Sequence, residues 1–428
     1  MKTLYTDVAV IGAGAGGMNA GAVCAGAGMQ TLIIDREDLP GGVLNQCIHN
    51  GFGLHCFKEE LTGPEFASRM EEKARNAGAG FMMSSTVTEL VDAGSHKLLT
   101  VFCGEKGVVR IQAKAVIFAA GCRERARGNL GIGGSRLAGV FTAGCAQKLL
   151  NMDGCLPGRS AVIVGSGDIG LIMARRLSWC GVQVKAVVEI RKHPSGLSRN
   201  IAQCLEDFNI PLKLATTITA IRGKNRVESI SAAPLDENGK ADLSREEIIP
   251  CDCVLFSVGL LPETELLKQC GAELDPATGY GAKVGPDYMS TVPGIFSCGN
   301  VLHVHDLVDF VAEQAERCAN HVIRYLKQGS SESEKEILQV IPGKDLAYTV
   351  PQSCRKGEEI CFYMRPKIIC RKAVLRVFAG DQVLAEKKCM YVKPPEMLSM
   401  ILPGEKSASA GKETVLRMEL CDVEGMEE

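Results

Sequence analysis

The sequence carries almost no surplus charge: 48 Lys and Arg stand against 50 Asp and Glu, a formal net charge of -2 over 428 residues. Without a basic stripe to neutralise phosphates, nothing marks a nucleic-acid binder, and nothing marks a polybasic membrane clamp. Long apolar runs are missing as well. No stretch reaches the roughly twenty residues needed to cross a bilayer. The apolar residues 8–11 behind Lys2 read as a first strand and not as the core of a cleaved leader. The 19 cysteines lack the regular spacing of a disulfide framework or a zinc site. Reduced, mostly buried thiols are therefore expected, in a cytoplasmic setting and with no metal centre. Cys251 and Cys253 are expected to share one face of a strand with no second pair beside them, and Cys354, Cys361 and Cys370 are irregularly spaced.

What is present is core material and glycine. Hydrophobic residues make up 46% and charged residues 23%, an ordinary globular balance. The length exceeds what one core supports, so two or three domains are expected. Residues 7–11 read as a buried strand, followed by a glycine-rich turn, a helix of small residues to about 28 and a second strand at 30–34. The same grammar returns with a strand at 160–164, a turn at 165–170, a helix at 171–180 and a strand at 183–188. Two copies of one βαβ unit imply two nucleotide sites, one per domain. Residues 115–119 and 253–258 are apolar runs that close the two sheets, each followed by glycine. Residues 329–336 are polar and read as a linker. Beyond it, 367–378 and 382–392 flank the turn Ala379-Gly380-Asp381 as a hairpin, while 404–411 and the residues after 422 read as loops.

The first turn, Gly12-Ala13-Gly14-Ala15-Gly16-Gly17, places glycine at three positions with distinct tasks. Gly12 makes the strand-to-helix turn, Gly14 lets backbone meet a diphosphate, and Gly17 lets the helix pack on the sheet. The helix start adds unpaired N–H groups and partial positive charge. Asp35 ends the second strand, where a carboxylate can accept hydrogen bonds from a ribose. The second turn, Gly165-Ser166-Gly167-Asp168-Ile169-Gly170, is followed by Glu189 at the matching place. An acid there favours a free 2′-hydroxyl, hence NAD(H) over NADP(H), although Arg191 and Lys192 beside it could hold a phosphate.

With these motifs the chain resembles the two-dinucleotide-binding-domain flavoproteins, the glutathione reductase-like and thioredoxin reductase-like enzymes. Further matching text is the segment from Asp35 to Gly42, the strand ending Phe118-Ala119-Ala120-Gly121, and Thr291-Val292-Pro293-Gly294-Ile295-Phe296-Ser297-Cys298-Gly299-Asn300. The resemblance implies an α/β fold of two Rossmann-like domains, the FAD domain holding the NAD(P) domain as an insertion, plus a small β-rich C-terminal domain. The corresponding boundaries are 1–125 with 260–330, 126–259, and 335–428. It implies FAD on the first turn and a nicotinamide nucleotide on the second. Cofactor contacts are expected from Gly12, Gly14, Ala15, Gly17, Asp35, Arg36, Gly41, Gly42, Val87, Ala120, Gly121, Gly299 and Asn300. For the nicotinamide nucleotide they are Gly165, Gly167, Asp168, Ile169, Gly170, Glu189 and Gly259. Asn300 stands where the family usually has an aspartate that contacts the flavin side of FAD, so it adds no negative charge there.

The redox pair of the disulfide reductases would fall at Leu44 and His49, which are not cysteines, and Cys145 and Cys155 lack the C-x-x-C spacing of the thioredoxin reductase type. A dithiol relay is not expected. The segments from Gly139 to Gln147, Leu156 to Gly158 and Gly165 to Leu177 are similar to flavoprotein subunits of hydrogen cyanide synthase, opine oxidase and dye-linked L-proline dehydrogenase. The segment from Gln46 to Gly53 is similar to clostridial-type partners of a glycerol-3-phosphate dehydrogenase-like flavoprotein. These resemblances imply a hetero-complex or oligomer whose partner dehydrogenase oxidises a small amine or a polyol phosphate.

Four residues are candidates for chemistry beside the flavin. Cys47 and His49 follow the double glycine, where a thiolate could attack a substrate or make a charge-transfer contact; a packed thiol and a helix-face histidine is the competing reading. His303 and His305 precede the helix-like run 307–326, where a histidine could pass a proton, or could cap and pack. Two rivals to the complex remain: a stand-alone NADH oxidase or reductase of a small organic substrate, and a non-catalytic flavin-binding scaffold.

Overall fold

A computed structural model of the chain describes residues 2–328, 336–411 and 414–422. The polar stretch 329–335 and the residues after 422 lie outside the described residues. The chain forms two compact units, Met1–Cys122 with Pro262–Glu428, and Arg123–Leu261.

In the first unit the strand Lys2–Ile11 lies between Thr31–Ile34 and Gly107–Phe118, parallel to both. The strand Ile295–Ser297 adds to Gly107–Phe118, also in parallel. Parallel strands covered on both faces must be apolar throughout. Accordingly Val8, Ala9, Val10, Val116 and Ile117 are all fully buried. Each buried valine or isoleucine contributes roughly 1.5–3 kcal/mol, enough together to fix the register that delivers the glycine turn. The helix Ala15–Gly26, built mostly of small residues, packs over this sheet, and Gly21 lies against Ile33 where a Cβ would collide. On its other side Gly16 meets Val311 of the long helix Val308–Gln328. The Asn19 side-chain amide donates to Ala312 O at 2.7 Å across that contact.

The C-terminal strands belong to this first unit but have a core of their own, which includes Leu338, Phe362, Leu375, Val377 and Leu416. They form a five-stranded and a three-stranded sheet. The expected hairpin is Cys370–Ala379 against Gln382–Val392, turning where Ala379 faces Gln382. The stretch 404–411, read as loop, begins instead as a short helix, Gly404–Ala408, because Ser407 accepts a hydrogen bond from Gly357 N and is buried. The domain is tied to the nucleotide fold by a buried ion pair, Arg355 to Asp287 at 2.9 Å, and by Gln352 Nε2 donating to Asp275 at 2.8 Å.

The second unit has five parallel strands in the order Val140–Thr142, Cys253–Phe256, Ser160–Val164, Gln183–Val188, Leu212–Lys213. A three-stranded antiparallel sheet, from Thr216 to Pro250, completes it. One expectation fails here. Cys251 and Cys253 do not share a face, since the strand begins only at Cys253 and the bend before it sends the two thiols into different core clusters.

Candidate functional site

The first glycine turn is built by close approach. Gly12 has φ +110°, and a Cβ on it would overlap the Ala119 carbonyl oxygen. A Cβ on Gly17 would overlap the Gly12 carbonyl oxygen. Only glycine fits at both places. Gly14, by contrast, would meet no atom within 4 Å, so the backbone there faces open space. It is the N-cap of the helix Ala15–Gly26, with no side chain capping it. The orphan N–H groups of that first turn are therefore free for an anion. Gly41 N donates to Ala13 O at 2.8 Å, laying the double glycine along the same turn, and Gly42 comes up against Gly14 with φ +55°.

Asp35 ends its strand with Ala13 N donating to one carboxylate oxygen at 2.6 Å and Glu37 N to the other at 2.9 Å. Two donors leave lone pairs on a half-buried carboxylate, as a ribose contact requires. Arg36 is exposed beside it. Val87 lies two residues beyond Ser85, whose N–H donates to Asp35 O at 2.8 Å. Ala120 and Gly121 follow the strand that Gly12 abuts, with Gly121 at φ +72°. The open Gly14, the uncapped helix and the available Asp35 form a cradle that fits a dinucleotide diphosphate and ribose.

The second turn repeats the plan with different filling. A Cβ on Gly165 would overlap the Ser257 carbonyl oxygen, and one on Gly170 would lie 2.9 Å from Gly165 O. Gly167 caps the helix Asp168–Trp179, and Ile169 packs on the core of this unit. Gly259 adopts φ +102° just after the closing strand. Here the chain's own side chains enter the turn. Ser257 Oγ accepts from Gly170 N at 3.0 Å. Asp168 is taken up by Leu197 N at 2.8 Å and Asn200 Nδ2 at 2.7 Å.

Glu189 is 3% exposed and accepts from Ser166 N (2.9 Å), Ser166 Oγ (2.6 Å), Ser195 Oγ (2.9 Å) and Arg191 N (3.0 Å). Burial raises its carboxyl pKa, but the hydrogen bonds from Ser166, Arg191 and Ser195 outweigh that and hold it below the ordinary value. Three of these donors meet one carboxylate oxygen and lock residues 166 and 195 together, while the other oxygen takes only Arg191 N and keeps a lone pair for the ribose contact expected of Glu189. Arg191 and Lys192 stay exposed nearby.

Cys47 follows a short 3₁₀ turn, Gly42–Gln46, and its carbonyl accepts from Gly63 N at 2.9 Å, where the helix Gly63–Asn76 begins. Burial pushes its thiol up to about 12, so it is protonated at neutral pH. That shift works against the thiolate role expected of Cys47 and favours the packed thiol. His49 is half-buried, with its ring 5.0 Å from that of Phe52 and Nδ1 2.9 Å from Asn50 O. The loop that follows is tied to the long helix: Gly53 N, His55 N and Cys56 N all donate to the Asp309 carboxylate at 2.9–3.1 Å.

Gly299, His303 and His305 converge on Gln314. Gly299 N donates to Gln314 Oε1 at 2.8 Å, His305 Nε2 lies 3.1 Å from the same oxygen, and Gln314 Nε2 lies 2.8 Å from His303 Nε2. Because the backbone N–H fixes which end of the amide is oxygen, the Gln314 NH₂ must donate to an unprotonated His303 Nε2. His303 then carries its proton on Nδ1, which is 3.5 Å from the Tyr348 hydroxyl, and His305 carries its proton on Nε2. Burial, then the neighbouring His305 and Arg365, pushes His303 well below the usual histidine range; burial above all lowers His305 to about 4. Both rings are enclosed and held in place by Gln314, and burial favours their neutral forms. Asn300 Oδ1 accepts from His305 N at 3.0 Å, which leaves its NH₂ to donate.

Among the described residues no group of three or more His, Cys, Asp or Glu side chains could hold a metal ion. Asp309 and Gln314 went unnoticed in the sequence. An acid in the first turn of a helix is a visible signal, but a glutamine inside an amphipathic helix carries none. Ser166 was within the fingerprint, and its task emerges only when Ser195 folds back on it.

Residues 6–321 match the pyridine nucleotide-disulphide oxidoreductase family. The chain is 31% identical over 306 residues to a thioredoxin reductase of Treponema pallidum (strain Nichols), covering 70% of this chain and 90% of that one. It is 24% identical over 326 residues to one of the opine oxidase subunits of Agrobacterium tumefaciens (strain Ach5), covering 69% of this chain and 61% of the relative's length. Among solved structures, thioredoxin reductase of T. acidophilum shares the fold with a TM-score of 0.62 at 22% identity, over 75% of this chain and 98% of that one. The C-terminal strands from Ile337 onward lie beyond the family match. No described helix is long and apolar enough to cross a membrane. With two glycine turns of one design and this match over most of its length, the chain belongs to the pyridine nucleotide-disulphide oxidoreductase family and is an FAD- and NAD(P)-dependent oxidoreductase.

Proposed function

We propose that the chain is the flavoprotein component of a dehydrogenase assembly, passing electrons between a nicotinamide nucleotide and a partner protein that handles a small amine or a polyol phosphate. The observation that carries this reading is that the dithiol of the disulfide reductases has no counterpart at Leu44 and His49, while Cys47 is a half-buried thiol whose desolvation pushes it up to about 12. The similarity to a protein named as one subunit of an oxidase supports a multi-subunit setting.

The chain's own residues bind and orient. The free N–H groups from Ala15 to Gly17 would hold the FAD diphosphate, Asp35 its ribose, and the Asn300 amide would donate toward its flavin side. Gly165 to Gly170 would carry the nicotinamide nucleotide. When bound, these cofactors supply two-electron redox chemistry, and the protein contributes position. His303 and His305, enclosed and favoured in their neutral forms, would exclude water and hold the turn.

The test is anaerobic mixing of the flavin-loaded protein with NADH or NADPH, followed at the oxidised-flavin band near ~450 nm, beside steady-state assays with thioredoxin, small disulfides and oxygen. Rapid bleaching with slow turnover on every one of these acceptors supports the reading. Full-rate turnover with a disulfide or oxygen by the protein alone overturns it, and absence of bleaching turns the chain into a scaffold.

A further inference from the structure

We propose that Gln314 is a positioning residue that holds the Gly299–Asn300 turn in place and joins it, through His303, to the C-terminal β domain. The inference rests on the reading that this turn faces the flavin, and it names a second element that controls the same site.

Gln314 is fully buried, and every polar atom of its amide is engaged. Its oxygen receives the Gly299 N–H, the residue at φ +75° on which the turn pivots. Its nitrogen reaches His303, which in turn faces Tyr348 on the C-terminal strand Leu346–Val350. The Tyr363 ring, on the strand Ile360–Pro366, lies 5.4 Å from the His303 ring and 5.6 Å from the His305 ring. From the same strand Arg365 donates to Asp306 at 2.7 Å and to Val304 O at 2.8 Å, while Met397 N donates to Asp306 at 2.5 Å. The segment 303–306 is therefore gripped from the C-terminal side at each of its four residues, and Gln314 transmits that grip to Gly299.

The arrangement admits one amide orientation. Turning the amide over would set its NH₂ against the Gly299 N–H, two donors face to face in a dry site. Although His305 Nδ1 and the Tyr363 hydroxyl have no partner in it, a network this buried transmits a change at one end as a displacement at the other, since no water can fill a lost contact without first making room.

The experiment compares Gln314→Leu and Tyr348→Phe with the wild-type full chain, reading FAD dissociation constant, visible spectrum and flavin reduction potential. Loss of a buried hydrogen-bond pair predicts FAD dissociation weakened about tenfold in Gln314→Leu, with a shifted flavin band and potential. Tyr348→Phe removes one hydroxyl far from the turn and should move spectrum and potential the same way by less. A folded Gln314→Leu with wild-type affinity, spectrum and potential overturns the inference. Should Gln314→Leu fail to fold, an unchanged spectrum and potential in Tyr348→Phe overturns it equally. A wild-type chain that takes up no FAD sinks the flavin reading, and this inference with it, and is recognised because it appears before any substitution is made.

Discussion

The two glycine turns share a backbone plan and differ in what fills them. At the first, Gly14 faces open space and Asp35 keeps lone pairs to offer. At the second, Ser257, Ser166, Ser195 and Glu189 bond to one another or to the turn's own backbone, and Asp168 accepts from Leu197 N and Asn200 Nδ2. A turn left open for its ligand binds without rearrangement, whereas one that satisfies itself must trade internal hydrogen bonds for those of the nucleotide. The difference matches a resident cofactor on one side and an exchanging one on the other.

The largest effect should come from the glycines that approach backbone. Gly17→Ala drives a Cβ to 1.8 Å from the Gly12 carbonyl oxygen, whereas Gly170→Ala places it 2.9 Å from Gly165 O and 2.8 Å from the Ser257 Cβ, a shallower overlap. Gly17→Ala is expected to cost about 4 kcal/mol or to prevent folding, and Gly170→Ala about 1–3 kcal/mol. Flavin content and urea unfolding of the two variants measure it, and equal losses would erase the contrast.

Acid should strike the first unit next. His305 has a folded-state pKa of about 4, below the ordinary 6.5, so as pH falls under 6.5 the unfolded chain takes up a proton that the folded one refuses. Stability is intact above 6.5 and drains away down to 4, by roughly 3 kcal/mol for this residue. A His305→Gln variant should therefore show a shallower fall of unfolding free energy across that window, and identical slopes would remove the histidine from the account.

The smallest effect concerns the lock at the second turn. Ser195→Ala takes one hydroxyl from the Glu189 carboxylate and should cost the second unit about 1.5 kcal/mol, read by urea unfolding. In the same variant the tightness of NADPH relative to NADH should be unaltered if Glu189 serves only to hold residues 166 and 195. A changed ratio would return Glu189 to the role its sequence position implies.

Local grammar made much of this legible. The strands Ser160–Val164 and Gln183–Val188 stand where periodicity puts them, and the α/β class follows from them. The second helix starts earlier than its apolar text, at Asp168, because the glycine turn itself supplies its cap. What stayed hidden are acceptors spent on distant donors. Ser257 meets Gly170 across 87 positions of sequence, and Glu189 takes up the hydroxyls of Ser166 and Ser195, which no spacing rule pairs with it. Likewise His303 and His305 look reactive as letters and are enclosed by Gln314 and the C-terminal tyrosines.

Three amides of residues 53–56 hang on one carboxylate, that of Asp309, at the head of the long helix. A hinge that swung this loop outward would strand a buried anion without donors, so the loop cannot flap by itself. The loop that follows Cys47 and His49 is thereby fastened to the first turn of a 21-residue helix.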